Sequence, residues 1–181
     1  MKKFKKFLWG FAIVLLVLLT IAAIMKKDYC IERKVTLHYP EPKTFTYLRY
    51  LRSATDWSPW EHKDPKMKSE YIGSDGYPGV THKWDGNDQV GKGEQEIKSI
   101  DTVNRRIDSE LRFEKPWEAV NRTYLITKDL GNGNTEVTWG FTGSMPYPMN
   151  IMIPFLGMDK YVGKDFEDGL AKLKTVLESY N

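Results

Sequence analysis

Residues 158–180 read MDKYVGKDFEDGLAKLKTVLESY, and we expect the rest of the chain to pack around this segment. Apolar residues recur along it every three or four positions, which predicts an amphipathic α-helix of about six turns. The apolar stripe consists of Met158, Val162, Phe166, Gly169, Leu170, Leu173, Leu177 and Tyr180. Gly163 and Gly169 lie on or beside the stripe, although a glycine inside a helix costs roughly 1 kcal/mol relative to alanine. We therefore expect a sheet or a cavity close to the helix backbone, with tolerated glycines of no special role as the alternative.

The sequence before this helix predicts strands joined by turns. Apolar and polar residues alternate from Tyr29 to Tyr39, which indicates a half-buried strand. Pro42 can open a short helix, and Ser53–Trp60 is a second short helical or looped piece. Further strands are predicted over Met67–Ile72, Val80–Asp85, Gly93–Ile100, Arg105–Phe113, Glu118–Thr127 and Thr135–Phe141, with a hairpin turn over Asp129–Asn134. This order predicts an antiparallel meander, and only the terminal helix is long enough to cover its apolar face.

A second apolar run lies at the N-terminus. Residues 7–25 carry no charge and are flanked by Lys2, Lys3, Lys5, Lys6, Lys26 and Lys27. A helix from Phe7 to Met25 is long enough to span the roughly 30 Å apolar core of a bilayer. A cleaved signal peptide is the alternative, but its apolar region is usually shorter and ends in a small-x-small site. We predict an uncleaved single-pass anchor in residues 1–28 and one domain over residues 29–181, on the extracytoplasmic side of the membrane.

The anchor carries the positive charge of the chain. The whole sequence has 27 basic and 24 acidic residues. Six of the lysines and Asp28 belong to the anchor region, so the domain keeps 21 basic and 23 acidic residues, a net charge of about −2. A nucleic-acid ligand requires a basic face. The domain has no Lys/Arg cluster of that kind, so the sequence predicts no nucleic-acid partner.

No motif of a known catalytic or cofactor site is found in the sequence. It lacks the Gly-x-Ser-x-Gly elbow, the phosphate loop and the dinucleotide fingerprint. The three histidines, His38, His62 and His82, fall on separate predicted elements without a cysteine nearby, so we predict no metal site and no cofactor. The chain has a single cysteine, Cys30, and so cannot form an intrachain disulfide. Its cysteine content therefore does not indicate whether the domain lies in an oxidising compartment.

Short motifs along residues 29–180 resemble those of the SRPBCC superfamily, in particular its bacterial polyketide cyclase/dehydrase-like branch with one N-terminal membrane segment. They are Trp57-Ser58-Pro59-Trp60, Gly79-Val80, Trp84-Asp85-Gly86-Asn87, Gly91-Lys92-Gly93, Phe113 with Pro116, Thr135-Glu136-Val137-Thr138-Trp139, and Phe166-Glu167-Asp168-Gly169-Leu170 followed by Leu173. The resemblance implies an α+β helix-grip fold, in which a seven-stranded curved antiparallel sheet wraps around the C-terminal helix. It also implies a hydrophobic cavity between sheet and helix, but it supplies no catalytic residue.

The predicted cavity lining follows from the strand faces that point toward the terminal helix. The candidate ligand-binding residues are His82, Trp84, Phe113, Val137, Trp139, Phe141, Phe166, Gly169 and Leu170, with Trp57 and Trp60 at the cavity mouth. Core packing is the favoured alternative for each tryptophan taken alone. For His82, a buried structural role is favoured over an acid/base role, although burial in an apolar cavity can shift a histidine pKa.

Three functions are compatible with these observations. The first is a membrane-anchored binding or carrier domain for a hydrophobic, lipid-like or aromatic small molecule. The second is a cyclase- or dehydrase-like enzyme that uses the same cavity. The third is a protein-interaction module with a filled core. The lack of a nucleophile, metal or cofactor motif makes the enzyme the weaker hypothesis.

Overall fold

The computed structural model describes residues 2–180, with side chains from Lys3 onward. Met1 and Asn181, the outer ends of the predicted ranges 1–28 and 29–181, lie outside the described residues. The α-helices are α1 (Lys2–Ile24), α2 (Glu41–Leu48), α3 (Ala54–Trp57), α4 (Pro59–Lys63) and α5 (Met158–Glu178). The strands are β1 (Asp28–Leu37), β2 (Lys68–Ile72), β3 (Thr81–Asp85), β4 (Lys92–Asp101), β5 (Arg106–Lys115), β6 (Ala119–Gly131) and β7 (Asn134–Ser144). Two 3₁₀ helices cover Leu51–Ser53 and Met149–Phe155.

The strands form one seven-stranded antiparallel sheet in the order β1-β7-β6-β5-β4-β3-β2. Strands β2 to β7 are a meander, because each pairs with the next along the chain. The first strand then pairs with the last, along its whole length from Asp28 opposite Ser144 to Leu37 opposite Thr135. The α+β helix-grip architecture predicted from the sequence is confirmed.

Helix α5 buries the stripe that its sequence predicts. Phe166, Leu170, Leu173 and Leu177 are almost fully buried and belong to one core with Ile31, Leu37, Val137, Trp139 and Phe141 from β1 and β7. We call the face of the sheet that carries these residues the inner face. Tyr180 is an exception to the predicted stripe, since the helix ends at Glu178 and this tyrosine is exposed. Its ring instead meets Tyr47 of α2 edge-on, with centroids 6.5 Å apart.

Arg33 joins the edge strand β1 to α5. Its Nε donates to Glu167 Oε1 at 2.7 Å, and its Nη1 donates to Asp159 Oδ1 at 3.0 Å. The two carboxylates lie one helical turn on either side of Gly163, and a Cβ at Gly163 would collide with the guanidinium. Gly163 therefore leaves room for Arg33 to lie against the helix.

The hairpin between β6 and β7 is tighter than predicted. The predicted turn covered Asp129–Asn134, but Asp129 pairs with Thr135 and Gly131 pairs with Asn134. Only Asn132 and Gly133 remain as the turn, and both have positive φ, 53° and 73°. Asparagine and glycine are the residues that adopt this backbone region most readily. The strands consequently extend closer to the turn than the composition suggested.

Helix α1 contains one segment, Lys3–Ile24, that is long and apolar enough to cross a membrane. Nearly all of its described side chains are exposed, and Ala22 is the buried exception. Within the described residues, α1 meets the rest of the protein near its C-terminal end, where Asn150 of the second 3₁₀ helix bonds to the carbonyls of Ala22 and Met25.

Candidate functional site

The inner face is covered unevenly by the helices. On β5, Ile107 and Ser109 are buried, whereas Leu111 and Phe113, further along the same face, are only half-buried. The opposite face of β5 is charged, since Arg112 donates to Glu94, Glu96 and Glu110 there. Apolar side chains therefore remain partly accessible on the inner face near the C-terminal end of β5. We call the surface formed by Leu111, Phe113 and Trp84 the apolar groove.

An aromatic cluster fills the space between α5 and the β7 part of the sheet. Trp139 stacks on Phe166 with ring centroids 4.0 Å apart. Trp57 and Trp60 meet Trp139 edge-on at 4.8 Å and 5.7 Å. Edge-to-face and stacked pairs of this kind add to the stabilisation that comes from burial. The cluster therefore packs α3, α4 and α5 onto β7.

Gly169 makes this packing possible. A Cβ added at Gly169 would lie 2.9 Å from Cδ of Pro59 and 2.9 Å from Cζ3 of Trp139. Contacts below 3.0 Å require the neighbours to move, and here they are a proline ring and a buried indole. The glycine in the predicted stripe thus allows both rings to approach the backbone of α5, as expected for a gripped helix.

Trp84 is held as a wall of the apolar groove. Its Nε1 donates to the carbonyl of Val90 at 3.1 Å, within the β3–β4 connection. A side chain at Gly93, the residue that pairs with Trp84, would collide with the indole. The ring also meets Phe113 edge-on, with centroids 5.8 Å apart. These contacts fix Trp84 against the sheet and leave it half-buried.

His82 lies next to the groove in a stack of three groups. Its ring stacks on that of Tyr71, with centroids 4.3 Å apart. The guanidinium of Arg52 lies 4.2 Å from the centre of the Tyr71 ring. Arg52 is positioned by Asp75, which accepts hydrogen bonds from the backbone N–H groups of Leu51 and Arg52. The Nε2 atom of His82 lies 3.2 Å from Ser69 Oγ.

Burial controls the charge state of this cluster. Desolvation, followed by the positive charge of Arg52, lowers the pKa of His82 to about 4. His82 is therefore neutral at pH 7, and the 3.7 Å separation between its Nδ1 and Glu61 Oε1 is not an ion pair at that pH. Desolvation also raises the pKa of Glu61, and it raises the pKa of Tyr71 to about 12, with a further contribution from Glu61.

Two hydrogen-bond donors on this side of the molecule have no partner among the described residues. They are Nε1 of Trp57, a residue that is only 4% exposed, and the hydroxyl of Tyr71. Buried polar groups are satisfied in the great majority of native structures, so an unpaired donor indicates a place for a ligand or a water molecule.

The predicted cavity residues separate into two groups in the structure. Val137, Trp139, Phe141, Phe166, Gly169 and Leu170 lie in the packed core under α5, and Trp57, predicted at the cavity mouth, is buried there too. Trp60 is half-buried beside them. His82, Trp84 and Phe113 lie together at the apolar groove. Their role in ligand binding stays a prediction.

Sequence reasoning missed Arg52, Glu61 and Tyr71. Arg52 and Glu61 lie in short segments whose positions depend on tertiary contacts, and neither fits an apolar periodicity. Tyr71 shares a face with Ser69 on a strand that was predicted, and its place beside His82 follows from the β2–β3 register. The sequence alone does not determine that register. The only signal for the contact was that one strand carries an aromatic residue and the next carries a histidine.

Two surface depressions lie elsewhere and are lined mainly by charged residues. One of about 250 Å³ is lined by Lys98, Asp108, Ser109, Glu110 and Arg122. The other, of about 470 Å³, is lined by Lys63, Lys160, Tyr161, Lys164 and Asp165. Neither includes a predicted cavity residue. Within residues 2–180, no group of three or more His, Cys, Asp or Glu side chains is placed to hold a metal ion.

The sheet wrapped on one long helix, with a partly open inner face, defines a helix-grip domain. This is the fold of the SRPBCC superfamily, and solved structures share it over most of the chain. Norcoclaurine synthase from Thalictrum flavum, solved with a transition-state analogue, has a TM-score of 0.63 at 13% identity and matches 87% of this chain and 99% of its own. A protein from Chromobacterium violaceum has a TM-score of 0.57 at 13% identity, covering 82% of this chain and 96% of its own. A protein from Thermobifida fusca has a TM-score of 0.55 at 16% identity, covering 80% and 90%.

These identities are low enough that the likeness concerns the fold alone. No protein-family model matches the sequence, and no curated protein matches it significantly. Function must therefore be argued from the residues of the inner face.

Proposed function

We propose that this protein is a membrane-anchored binding domain for a hydrophobic small molecule. The observation that carries the proposal is the apolar groove, where Leu111, Phe113 and Trp84 stay half-buried on the face that is otherwise the core. Apolar side chains that lie on the inner face and remain partly accessible offer a surface on which a hydrophobic molecule can bind.

The register of the sheet sets the size of the site. His82 pairs with Gln95, and Gln95 pairs with Leu111, so His82 and Leu111 are two strands apart on one face. Neighbouring strands are about 4.8 Å apart, which places the two side chains about 10 Å from each other. A lipid-like chain or an aromatic molecule of one or two rings fits this span. The hydroxyl of Tyr71, next to His82, supplies a donor for an acceptor group at one end of the ligand.

A solved relative gives a precedent for an aromatic ligand on this fold. Norcoclaurine synthase from Thalictrum flavum has been solved in complex with dopamine and hydroxybenzaldehyde. Those ligands belong to that protein, and their chemistry supports aromatic small molecules as the first class to test here.

The N-terminal helix defines where the domain works in this proposal. An exposed apolar helix from Phe7 to Met25 is stable in a bilayer and not in water. The lysines before it favour a cytoplasmic N-terminus and a domain on the extracytoplasmic side. The domain would then bind a molecule that partitions into, or is taken from, the same membrane.

A cyclase- or dehydrase-like enzyme is the second candidate, and the cluster of Glu61, Tyr71 and His82 favours it. A general base works best when its pKa is close to the operating pH. A pKa of about 4 makes His82 a weak base at pH 7, whereas Glu61 is shifted in the useful direction. If the site is catalytic, Glu61 is the residue to replace first, with Glu61→Gln as the variant.

The proposal is tested by titrating the domain with an apolar fluorescent probe and a panel of lipids and aromatic compounds. We expect saturable binding, weakened by Trp84→Ala and Leu111→Ala and blocked by Leu111→Trp, which fills the groove. Val120→Ala is the matched control, because Val120 lies on the opposite face of the neighbouring strand β6 and is exposed. A folded parent domain that binds none of these compounds would favour the interaction module with a filled core.

A further inference from the structure

The 3₁₀ helix over Met149–Phe155 presents apolar side chains to solvent. Its sequence is MNIMIPF, and Phe155 is 78% exposed. The exposed apolar residues of this helix and its flanks are Tyr147, Met149, Met152, Phe155 and Tyr161. We call residues 147–161 the amphipathic segment. A contiguous exposed apolar surface on a folded protein marks a contact site for a partner or a membrane.

Asn150 holds this segment against the end of α1. Its Nδ2 donates to the carbonyl of Ala22 at 2.7 Å and to that of Met25 at 3.1 Å, and Asn150 is fully buried. The backbone N–H of Met145 also donates to the carbonyl of Lys27 at 2.8 Å. The last carbonyls of a helix lack partners within the helix, so the side chain of Asn150 satisfies groups that a lipid environment would leave unpaired.

These contacts define the depth of the segment relative to the anchor. Ala22 precedes Met25, the last residue of the apolar run, by three positions, which is about 4.5 Å along a helix. A segment that packs on Ala22 therefore lies at the level where the apolar run meets Lys26 and Lys27. That level corresponds to the boundary between acyl chains and headgroups, where amphipathic segments insert by about 5–10 Å.

The side chains of the segment suit this boundary. Tyr147 and Tyr161 combine an apolar ring with a polar hydroxyl, as is common for tyrosines at membrane interfaces. Lys160 is exposed beside Tyr161, and Lys26 and Lys27 are exposed at the end of α1. Lys26 and Lys27 can pair with lipid phosphates at this level, and the exposed Met149, Met152 and Phe155 are suited to contact with acyl chains.

We propose that the amphipathic segment is a second membrane contact, which inserts into the leaflet where α1 ends and fixes the orientation of the domain on the bilayer. The proposal rests on the anchor role of α1 in the proposed function. The occupant is the lipid bilayer surface, because the hydrogen bonds of Asn150 hold the segment at the C-terminal end of α1, where the apolar run ends.

Depth-dependent fluorescence quenching in the full chain tests this contact. The single cysteine is removed by Cys30→Ser, and one fluorophore is attached at Met152→Cys or Phe155→Cys. The protein is reconstituted into phosphatidylcholine and phosphatidylglycerol vesicles that contain lipids brominated near the headgroup or near the chain end. We expect several-fold stronger quenching by the headgroup-proximal bromines at residues 152 and 155 than at Val103→Cys. Val103 is the matched control, because it is 87% exposed in the β4–β5 turn, away from the segment.

A label at Ile13→Cys separates the outcomes. Quenching by deep bromines at residue 13, with residues 152 and 155 no better quenched than 103, would overturn the membrane contact and leave the anchor standing. Lack of quenching at residue 13 would overturn the anchor and the contact together. Quenching at residue 155 that falls as the protein-to-lipid ratio rises would show that a second copy covers the segment, which also overturns the proposal.

Discussion

Trp139 on β7 and Phe166 on α5 lie face to face, with their ring planes within 4° of parallel. The pair connects the strand next to the sheet edge with the middle of the terminal helix. Both residues are buried, and Gly169 lies one turn further along α5 against the same indole. The contact therefore forms only when α5 is packed against the inner face of the sheet.

Replacement of the indole should destabilise the domain strongly. We expect Trp139→Ala to lower the free energy of unfolding by about 3–5 kcal/mol, the usual range for a large buried aromatic residue. Chemical denaturation followed by circular dichroism measures this change. Trp117→Ala is the control: Trp117 is 70% exposed, so its replacement should change stability by about 0.5 kcal/mol or less. Equal losses at both positions would contradict the packing described for the cluster.

The two glycines of α5 should respond differently to an added methyl group. Gly169→Ala places Cβ against Pro59 and Trp139, and overpacking of this kind costs roughly 1–3 kcal/mol. Gly163→Ala meets only the guanidinium of Arg33, which is partly exposed and can move. The roughly 1 kcal/mol gain in helix propensity then offsets much of the loss at Gly163. Thermal unfolding is measured for both variants and for the exposed Lys172→Ala. The unfolding temperature of Gly169→Ala should be lower than that of Gly163→Ala.

Acid should destabilise the fold through His82. The pKa of this residue is lowered in the folded state from an ordinary value of 6.5 to about 4. The unfolded chain therefore binds a proton first, and stability is lost as the pH falls from about 6.5 toward 4. The loss is on the order of 3 kcal/mol. Glu61 acts in the opposite direction, because its raised pKa means that its contribution is lost as the pH rises through the folded-state pKa.

The effect of His82 is isolated by comparing the parent with His82→Asn. Denaturant midpoints at pH 7.5, 6.0 and 4.5 should converge as the pH falls, with the parent losing its advantage. Asparagine keeps a polar group near Ser69 but does not titrate. A difference between the two midpoints that stays constant from pH 7.5 to 4.5 would exclude a lowered pKa of His82.

Removal of residues 1–28 should leave a folded domain with one loosened segment. A chain of residues 29–181 keeps nearly all of the strand pairing but loses Ala22, Met25 and Lys27, whose carbonyls accept bonds from Asn150 and Met145. We expect cooperative unfolding together with fast amide hydrogen exchange at residues 145–155. A chain that starts at Phe7 is the comparison, in detergent. An unfolded or aggregated product would contradict the predicted boundary at residue 29.

Much of the fold could be predicted because its main elements have simple periodicities. The stripe of α5, the alternation of β1 and the Gly/Asn turn before β7 each correspond to the observed element. The 3₁₀ helix at Met149–Phe155 could not be found in this way. It contains Pro154 and follows Pro148, so it has neither a strand pattern nor a helical one, and contacts with α1 determine its position.

The site was less predictable than the fold because it depends on which inward-facing residues the helices cover. Trp139 and Trp84 both lie on inward strand faces, yet one is buried under α5 and the other remains half-open. Which part of the inner face the helices cover depends on the contact between α4 and α5 at Pro59 and Gly169, and this contact forms only in the folded chain. The lowered pKa of His82 likewise depends first on burial and then on the charge of Arg52, which lies against the ring of Tyr71 and comes from a different part of the sequence.

The open sheet matters for copies of this chain that meet one another. Strands β1 and β2 are free edges, and free edges can recruit strands from neighbouring molecules into larger aggregates. Charged residues occupy both edges: Glu32, Arg33 and Lys34 follow one another on β1, and Lys68 and Glu70 are exposed on the five-residue β2. An added strand would have to lie against these charges, so two copies that collide do not readily join their sheets.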